Sequence, residues 1–264
     1  MTIRNLEYLL APTSVALVGA SDQPNSIGLW LARNLVAGGF AGPIHFVNPR
    51  RSEVLGQRAY ASLGELPAAP DLAIVATPPA TVPAIVGELG ARGTRAVIVV
   101  TAGLDAALKR QMLDAARPHC LRILGPNVIG LMLPGLGLDA SFSHIAPAKG
   151  ELAFLSQSGA LITGILDWAA GRGIGFSHVV SLGDMADVDF GDMLDYLAAD
   201  AESRAILIYM EALTGARKFM SAARRAARVK PVVVVKSGRR AEGARAASSH
   251  TGALAGADAV YDAA

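Results

Sequence analysis

Short apolar runs rich in β-branched residues recur along the chain, and each gap between them leaves room for one helix. In the first half they fall at Ser14 to Val18, Ile44 to Val47, Leu72 to Val75, Ala96 to Val100 and Arg122 to Leu124, separated by segments with helical spacing of apolar positions. Ala96 to Val100 and Val232 to Val235 are continuously apolar and end at polar or charged residues, the pattern of strands buried on both faces. Alternating β and α predicts a parallel sheet covered by helices, because right-handed crossovers place a helix between successive strands. The first half therefore reads as Rossmann-like α/β. A second alternation runs through strand Leu152 to Leu155, a helix from Gly159, strand Phe176 to Ser181, a helix from Asp189, strand Ala205 to Tyr209, a helix from Gly215 and strand Val232 to Val235, which reads as a flavodoxin-type doubly wound sheet. Between the two, Gly125 to Gly150 breaks into Gly, Pro and isolated polar residues. The expected organisation is a domain at 1–125, a linker at 126–150 and a second domain at 151–264, cut short at its C-terminus.

Composition narrows the partners. With 264 residues the chain suits two domains. Lys plus Arg number 24 against 22 for Asp plus Glu, so no basic excess points to nucleic acid or an anionic membrane. The apolar run Ser14 to Ala20 is too short for a membrane span, and the first turn carries charge, so neither export nor insertion is signalled. Cys120 is the single cysteine, which excludes an internal disulfide and suits a reducing, cytoplasmic setting. His45, His119, His144 and His178 lack metal-ligand spacing, so no metal site is expected. In the acidic group Asp184, Asp187, Asp189, Asp192 and Asp195, Asp189 reads as a helix N-cap, and Asp192 and Asp195 as its solvated face.

In open parallel sheets ligands bind beyond the carboxyl ends of the strands, so the candidate chemistry lies there. The first loop has Gly19-Ala20-Ser21 and then Ser26 and Gly28, without the tight G-x-G-x-x-G of the dinucleotide fingerprint. Its backbone N–H groups and the Ser21 and Ser26 hydroxyls still suit a phosphate at a helix start. Where an NAD enzyme needs an acid for the ribose 2′-OH, this chain has Asn48-Pro49-Arg50-Arg51. Arginines there suit a phosphorylated ribose, which NADP and coenzyme A share, and they equally suit a solvated turn. Ala76-Thr77-Pro78-Pro79 fixes an extended backbone along which a thin ligand can lie, or simply opens a helix.

In the second half, Ser156-Gln157-Ser158-Gly159 sits between a buried strand and a helix, as an anion site strengthened by the helix dipole or as a plain cap. A nucleophile elbow at Ser158 is disfavoured, since Ser156 and Ala160 occupy both glycine positions of G-x-S-x-G. His250, in the small-residue segment Ser249-His250-Thr251-Gly252, is either surface or a nucleophilic imidazole open to a bulky electrophile. Glu211 ends an apolar strand and is the candidate carboxylate to fix that imidazole's tautomer.

Taken together, Val18-Gly19-Ala20-Ser21, Asn48-Pro49-Arg50, Ala76-Thr77-Pro78-Pro79, Gly125-Pro126-Asn127, Phe154 to Gly159, Ser181-Leu182-Gly183 with Asp189-Phe190, Tyr209-Met210-Glu211 and Ser249 to Gly252 resemble the NDP-forming acyl-CoA synthetases, across nearly the whole chain and in order. This superfamily includes ADP-forming acetate–CoA ligase and the succinyl-CoA ligase α subunit. The resemblance implies a CoA-binding Rossmann domain followed by a succinyl-CoA-ligase-like flavodoxin domain. It implies that acyl-CoA, phosphate and NDP interconvert with a small carboxylic acid, CoA and NTP, through an acyl phosphate and a phosphohistidine. His250 matches the phosphorylated histidine, Glu211 its orienting carboxylate, and Ser156, Gln157, Ser158 and Gly159 the phosphate site. The first-domain loops, with Gly125, Pro126 and Asn127, match CoA contacts, which implies CoA rather than NADP. Asp184 stands where relatives commonly have Asn, and Val128 where Cys or Ser is frequent. Nothing here resembles an ATP-grasp domain, so ATP or ADP and Mg²⁺ are expected on a β subunit or a fused domain, in an oligomer. The alternative is a non-catalytic acyl-CoA-sensing module of a fused acetyltransferase, against which the retention of His250 argues.

Overall fold

The first domain is a sheet of β1 (Val15–Val18), β2 (Ile44–Val47), the short hairpin β3 (Glu53–Val54) and β4 (Gln57–Tyr60), β5 (Leu72–Val75), β6 (Ala96–Val99) and β7 (Arg122–Leu124). Coordinates come from a computed structural model, which describes residues 3–237. The spatial order is β3-β4-β2-β1-β5-β6-β7, parallel throughout except for the β3–β4 edge. Without that edge strand it is the doubly wound Rossmann order, whose direction of winding reverses between β1 and β5. Because successive side chains alternate across a strand, Val15 and Leu17 join one core with α2 (Ile27–Ala37), while Ala16 and Val18 join another with α3 (Val82–Arg92) and α4 (Ala106–Ala116). Both faces being covered explains the unbroken apolar runs.

The second sheet holds β8 (Gly130–Leu133), β9 (Leu138–Ser141), β10 (Lys149–Ser156), β11 (Phe176–Ser181), β12 (Ala205–Met210) and β13 (Val232–Lys236), in the order β13-β12-β10-β11-β8-β9. Its parallel part, β11-β10-β12-β13, follows the flavodoxin sequence of neighbours, with the switch between β10 and β12. Helices α5 (Gly159–Ala170), α6 (Phe190–Leu197) and α7 (Ala216–Ala227) form its connections. The segment 126–150, expected as a linker, carries β8 and β9; β8 pairs antiparallel with β11 on one side and with β9 on the other. The Gly and Pro signals there mark the turn of a hairpin, Pro134 to Gly137, rather than a tether between domains.

The two sheets share one hydrophobic core, which runs from Leu17 and Leu35 through Leu131 to Leu155 and Val180. Asn34 of α2 donates to Ser141 O and Ser143 O, both at 2.8 Å, so the helix that opens the first crevice rests on the edge of the second sheet. Beyond β11 the chain runs alongside the end of β7: Asp184 N donates to Pro126 O, Ala186 N to Gly125 O and Val188 N to Ile123 O. Arg122 closes this seam. Its Nε lies 2.9 Å from Asp187 Oδ2 and its Nη2 3.1 Å from Asp192 Oδ2. Asp192 corrects the sequence reading: it completes a capping box with Asp189, yet it is only 1% exposed and is also held by Lys218 at 2.7 Å. Helical phase alone placed it on a solvated face, and the packing of α7 and β7 over α6 buries it. Burial works against the Arg122 cation, but the neighbouring Asp187 and Asp192 outweigh it and raise its pKa. Burial likewise pushes the Asp192 carboxyl up, against the pull of Lys218 and Arg122. Among the described residues no helix is long and apolar enough to cross a membrane.

Candidate functional site

The segments that follow β7 and β11 meet at the seam between the domains, and the candidate residues lie beyond the carboxyl ends of the strands of each sheet. At the first, Gly19 has φ +93°, and a Cβ there would sit 2.3 Å from Ala76 O; a Cβ on Gly28 would sit 2.2 Å from Gly19 O. These two glycines let the β1 loop, the β5 loop and α2 close on one another, the role that closely spaced glycines play in a dinucleotide fingerprint, here reached with a spacing of nine. Ser26 caps α2, accepting from Leu29 N at 3.2 Å, and Ser21 Oγ accepts from Gln23 N at 3.0 Å. Asn48 donates to Ala20 O at 2.7 Å and accepts from Arg50 N at 2.8 Å, so it ties the β2 loop, with exposed Pro49 and Arg50, to the first loop. Arg51 is paired with Asp22 at 2.6 Å, which leaves Arg50 as the other cation of that turn.

From here a polar chain crosses the strand ends. Thr101 Oγ1 donates to Thr77 O at 2.7 Å, and Asn127 N donates to Thr101 O at 3.1 Å. Pro78 and Pro79 lead into a short 3-10 turn beside Thr77. Gly125 and Pro126 are buried and joined by a cis peptide, while Asn127 is exposed. Asn127 Nδ2 donates to Asp184 Oδ1 at 3.2 Å, and Asp184 Oδ2 lies 2.5 Å from Lys109 Nζ. Sequence reasoning gave no role to Thr101 or Lys109, since a pairing across domains leaves no local signal.

The second crevice is built by side chains. Ser156 is wholly buried, and its hydroxyl donates to Ser158 O and accepts from Ser158 N at 2.9 and 3.1 Å, which folds the loop on itself. Ser158 caps α5 by accepting from Leu161 N at 3.3 Å. That leaves the N–H groups of Gly159 and Ala160, the first two of a twelve-residue helix, without intrahelical acceptors and facing out of the positive end of the dipole. Gln157 spans the switch point: its Oε1 accepts from Glu211 N at 2.6 Å and from Ala212 N at 2.9 Å, while its own N donates to Tyr209 O. Lys236 Nζ donates to Glu211 O at 2.9 Å, so the main chain of Glu211 is held from both sides. The loop with the two open helix N–H groups and the residue expected to orient a histidine are therefore one hydrogen-bonded unit. His250, with Ser249, Thr251 and Gly252, lies outside the described residues.

Comparison with known proteins agrees with this layout. Residues 13–134 match the CoA binding domain family, and residues 149–264 the succinyl-CoA ligase like flavodoxin domain family. Acetate–CoA ligase (ADP-forming) I of Archaeoglobus fulgidus is 43% identical over 265 residues, covering 98% of this chain and 38% of that protein. The α subunit of acetate–CoA ligase (ADP-forming) I of Pyrococcus furiosus is 39% identical over 270 residues, with 98% and 58% covered. The dinucleotide forming acetyl-coenzyme A synthetase 1 of Ca. Korarchaeum cryptofilum, solved in complex with phosphate and ADP, superposes with a TM-score of 0.93 at 35% identity over 98% of this chain and 57% of that one. The chain thus spans between 38% and 58% of the length of these three proteins. With a CoA-binding Rossmann domain and a ligase-type flavodoxin domain, the chain belongs to the NDP-forming acyl-CoA synthetase superfamily.

Proposed function

We propose that this chain is the CoA-binding, phosphohistidine-bearing part of an ADP-forming acyl-CoA ligase, completed by an ATP-grasp subunit or fused domain. The single observation that carries the reading is the Gln157 bridge, which joins an anion-ready helix start to Glu211 at the switch point between β10 and β12. Thioesters of CoA are the substrate on the first-domain side, with the 3′-phosphorylated ribose near Arg50 and the thin pantetheine arm along Ala76 to Pro79 toward Asn127. Phosphate is held by the Gly159 and Ala160 N–H groups, where its charge is best stabilised.

The reaction then runs in three balanced steps. A phosphate oxygen attacks the thioester carbonyl, the C–S bond breaks, and CoA leaves as thiolate and takes a proton. The His250 nitrogen next attacks the phosphorus of the acyl phosphate, the P–O bond to the acyl group breaks, and the carboxylate departs. In the last step an oxygen of the terminal NDP phosphate takes the phosphoryl group from His250, which regenerates the imidazole. Glu211 acts by accepting the other ring N–H of His250, which sets the tautomer and stabilises the cation formed on attack. Nucleotide and Mg²⁺, held by the partner part, supply the acceptor and screen its charge. The relatives reported above are all named as CoA ligases or synthetases, which favours catalysis over the sensing alternative.

The test is phosphoryl transfer itself. Incubating the full-length protein, with its nucleotide-binding part, with γ-labelled ATP and Mg²⁺ is expected to leave acid-labile, base-stable label on His250. Equal labelling of His250→Asn overturns the assignment.

A further inference from the structure

We infer that Lys109 and Asp184 form a charge-balancing pair that makes this site select acids with an uncharged chain over acids bearing a second carboxylate. The inference deepens the ligase reading and rests on it. Lys109 stands in α4 of the first domain and Asp184 in the loop after β11 of the second, so the pair bridges the two domains across the seam. Nζ and Oδ2 are 2.5 Å apart, and the side chains are 34% and 29% exposed, so the pair is still reached by solvent and by any ligand in the seam. On one side Asp184 accepts from Asn127, the last member of the Thr77–Thr101–Asn127 chain along the first-domain loops. On the other, Leu182 N donates to Ser156 O, and Ile129 N donates to Ser181 Oγ, which joins the same loop to the base of the phosphate site. A thioester that reaches from the first-domain loops to the phosphate loop therefore brings its acyl group to this pair.

The charges there sum to zero. An uncharged acyl chain meets a neutral wall. A second carboxylate finds Lys109 already engaged and Asp184 as a like charge, so it gains nothing and is repelled at close range. Each single neutralising substitution upsets the balance in opposite directions: Asp184→Asn leaves a cation at the seam, and Lys109→Gln leaves an anion. A purely structural contact has no reason to discriminate between acids by sign.

The experiment compares succinate with acetate as substrates of the full-length ligase, and succinyl-CoA with acetyl-CoA in calorimetric binding to the 264-residue chain. For a unit charge several ångströms away in a partly solvated site, Asp184→Asn is expected to raise the succinate-to-acetate ratio of kcat/KM by about tenfold, Lys109→Gln to lower it by a similar factor, and the double variant to return it to within about twofold. The binding ratio of the two thioesters should follow the same order, and the spread should shrink in high salt. Ratios unchanged in both single variants, or shifted in the same direction, overturn the proposal. Binding ratios that move as expected while no form of the enzyme makes acyl-CoA would fail the ligase reading and leave the charge pair standing.

Discussion

The crevice of the first sheet is shaped by missing side chains, and that of the second by side-chain hydrogen bonds. At the first, Gly19 and Gly28 let three backbone segments touch, and the hydroxyls of Ser21 and Ser26 fold the loop and cap the helix. At the second, Ser156, Gln157 and Ser158 use their side-chain oxygens to lock loop, helix start and the Glu211 main chain together. The difference matches what each is proposed to hold. A long, flexible ligand is gripped best by a close-fitting backbone surface. A small anion carried through a change of bonding needs N–H donors fixed in place before it arrives.

The comparison can be broken first at Gly19. Gly19→Ala places a Cβ against the Ala76 carbonyl in a left-handed backbone, and the combined strain is expected to cost about 4 kcal/mol in urea unfolding, with CoA affinity lost by calorimetry. A full-strength CoA isotherm from this variant would show that the backbone fit is not what grips the ligand. Next comes the independence of the two crevices. Arg122→Ala removes the clamp on Asp187 and leaves Asp192, 1% exposed, with Lys218 as its one remaining cation. An expected loss of about 3 kcal/mol, with both CoA binding and phosphoryl labelling impaired, follows from breaking a buried pair. A loss confined to one crevice would mean that the seam does not couple them.

Much of this was legible in the sequence, and what was not has physical reasons. β5 begins and ends where the apolar run Leu72 to Val75 does, because a parallel strand buried on both faces leaves a continuous signal. The hairpin of β3 and β4 was missed because its edge residues are polar and short, and β8 and β9 because Gly130, Pro134 and Gly137 look like a linker until the strands pair. Ser158 as a cap and the strand-end loops were readable locally. The Gly19–Gly28 approach, the Arg122–Asp192 pair and the Lys109–Asp184 pair were not, because each is made by residues that only the tertiary fold brings together.

Asp139 sharpens the comparison through pH. It is buried on β9, the strand that α2 rests on, and burial raises its pKa to about 6 despite hydrogen bonds from Ser141 N and Oγ. A carboxyl whose folded pKa lies above its unfolded value favours the folded state fully at low pH and withdraws that support as pH rises through the folded value. Stability is therefore expected to fall by about 2 kcal/mol between pH 4 and pH 7 on account of this group, and Asp139→Asn, which keeps the acceptor oxygen, should abolish that slope. Since α2 opens the first crevice, CoA binding should carry the same pH dependence more strongly than phosphoryl labelling. An unchanged slope in the variant would assign it to other groups.

The smallest effect on stability is the most telling about mechanism. Gln157→Ala removes the acceptor of two main-chain N–H groups at Glu211 and Ala212, which solvent can in part replace, so the expected cost in unfolding is only about 1 kcal/mol. The same change frees the Glu211 main chain on one side, with Lys236 still holding its carbonyl. If preorganisation is what the second crevice provides, labelling of His250 should slow by about tenfold or more while CoA binding stays within error, because misplacing an orienting group by about an ångström is enough to lose that much rate. If labelling instead tracks the small loss of stability, the hydrogen-bonded lock is only scaffolding, and the two crevices differ in construction but not in purpose.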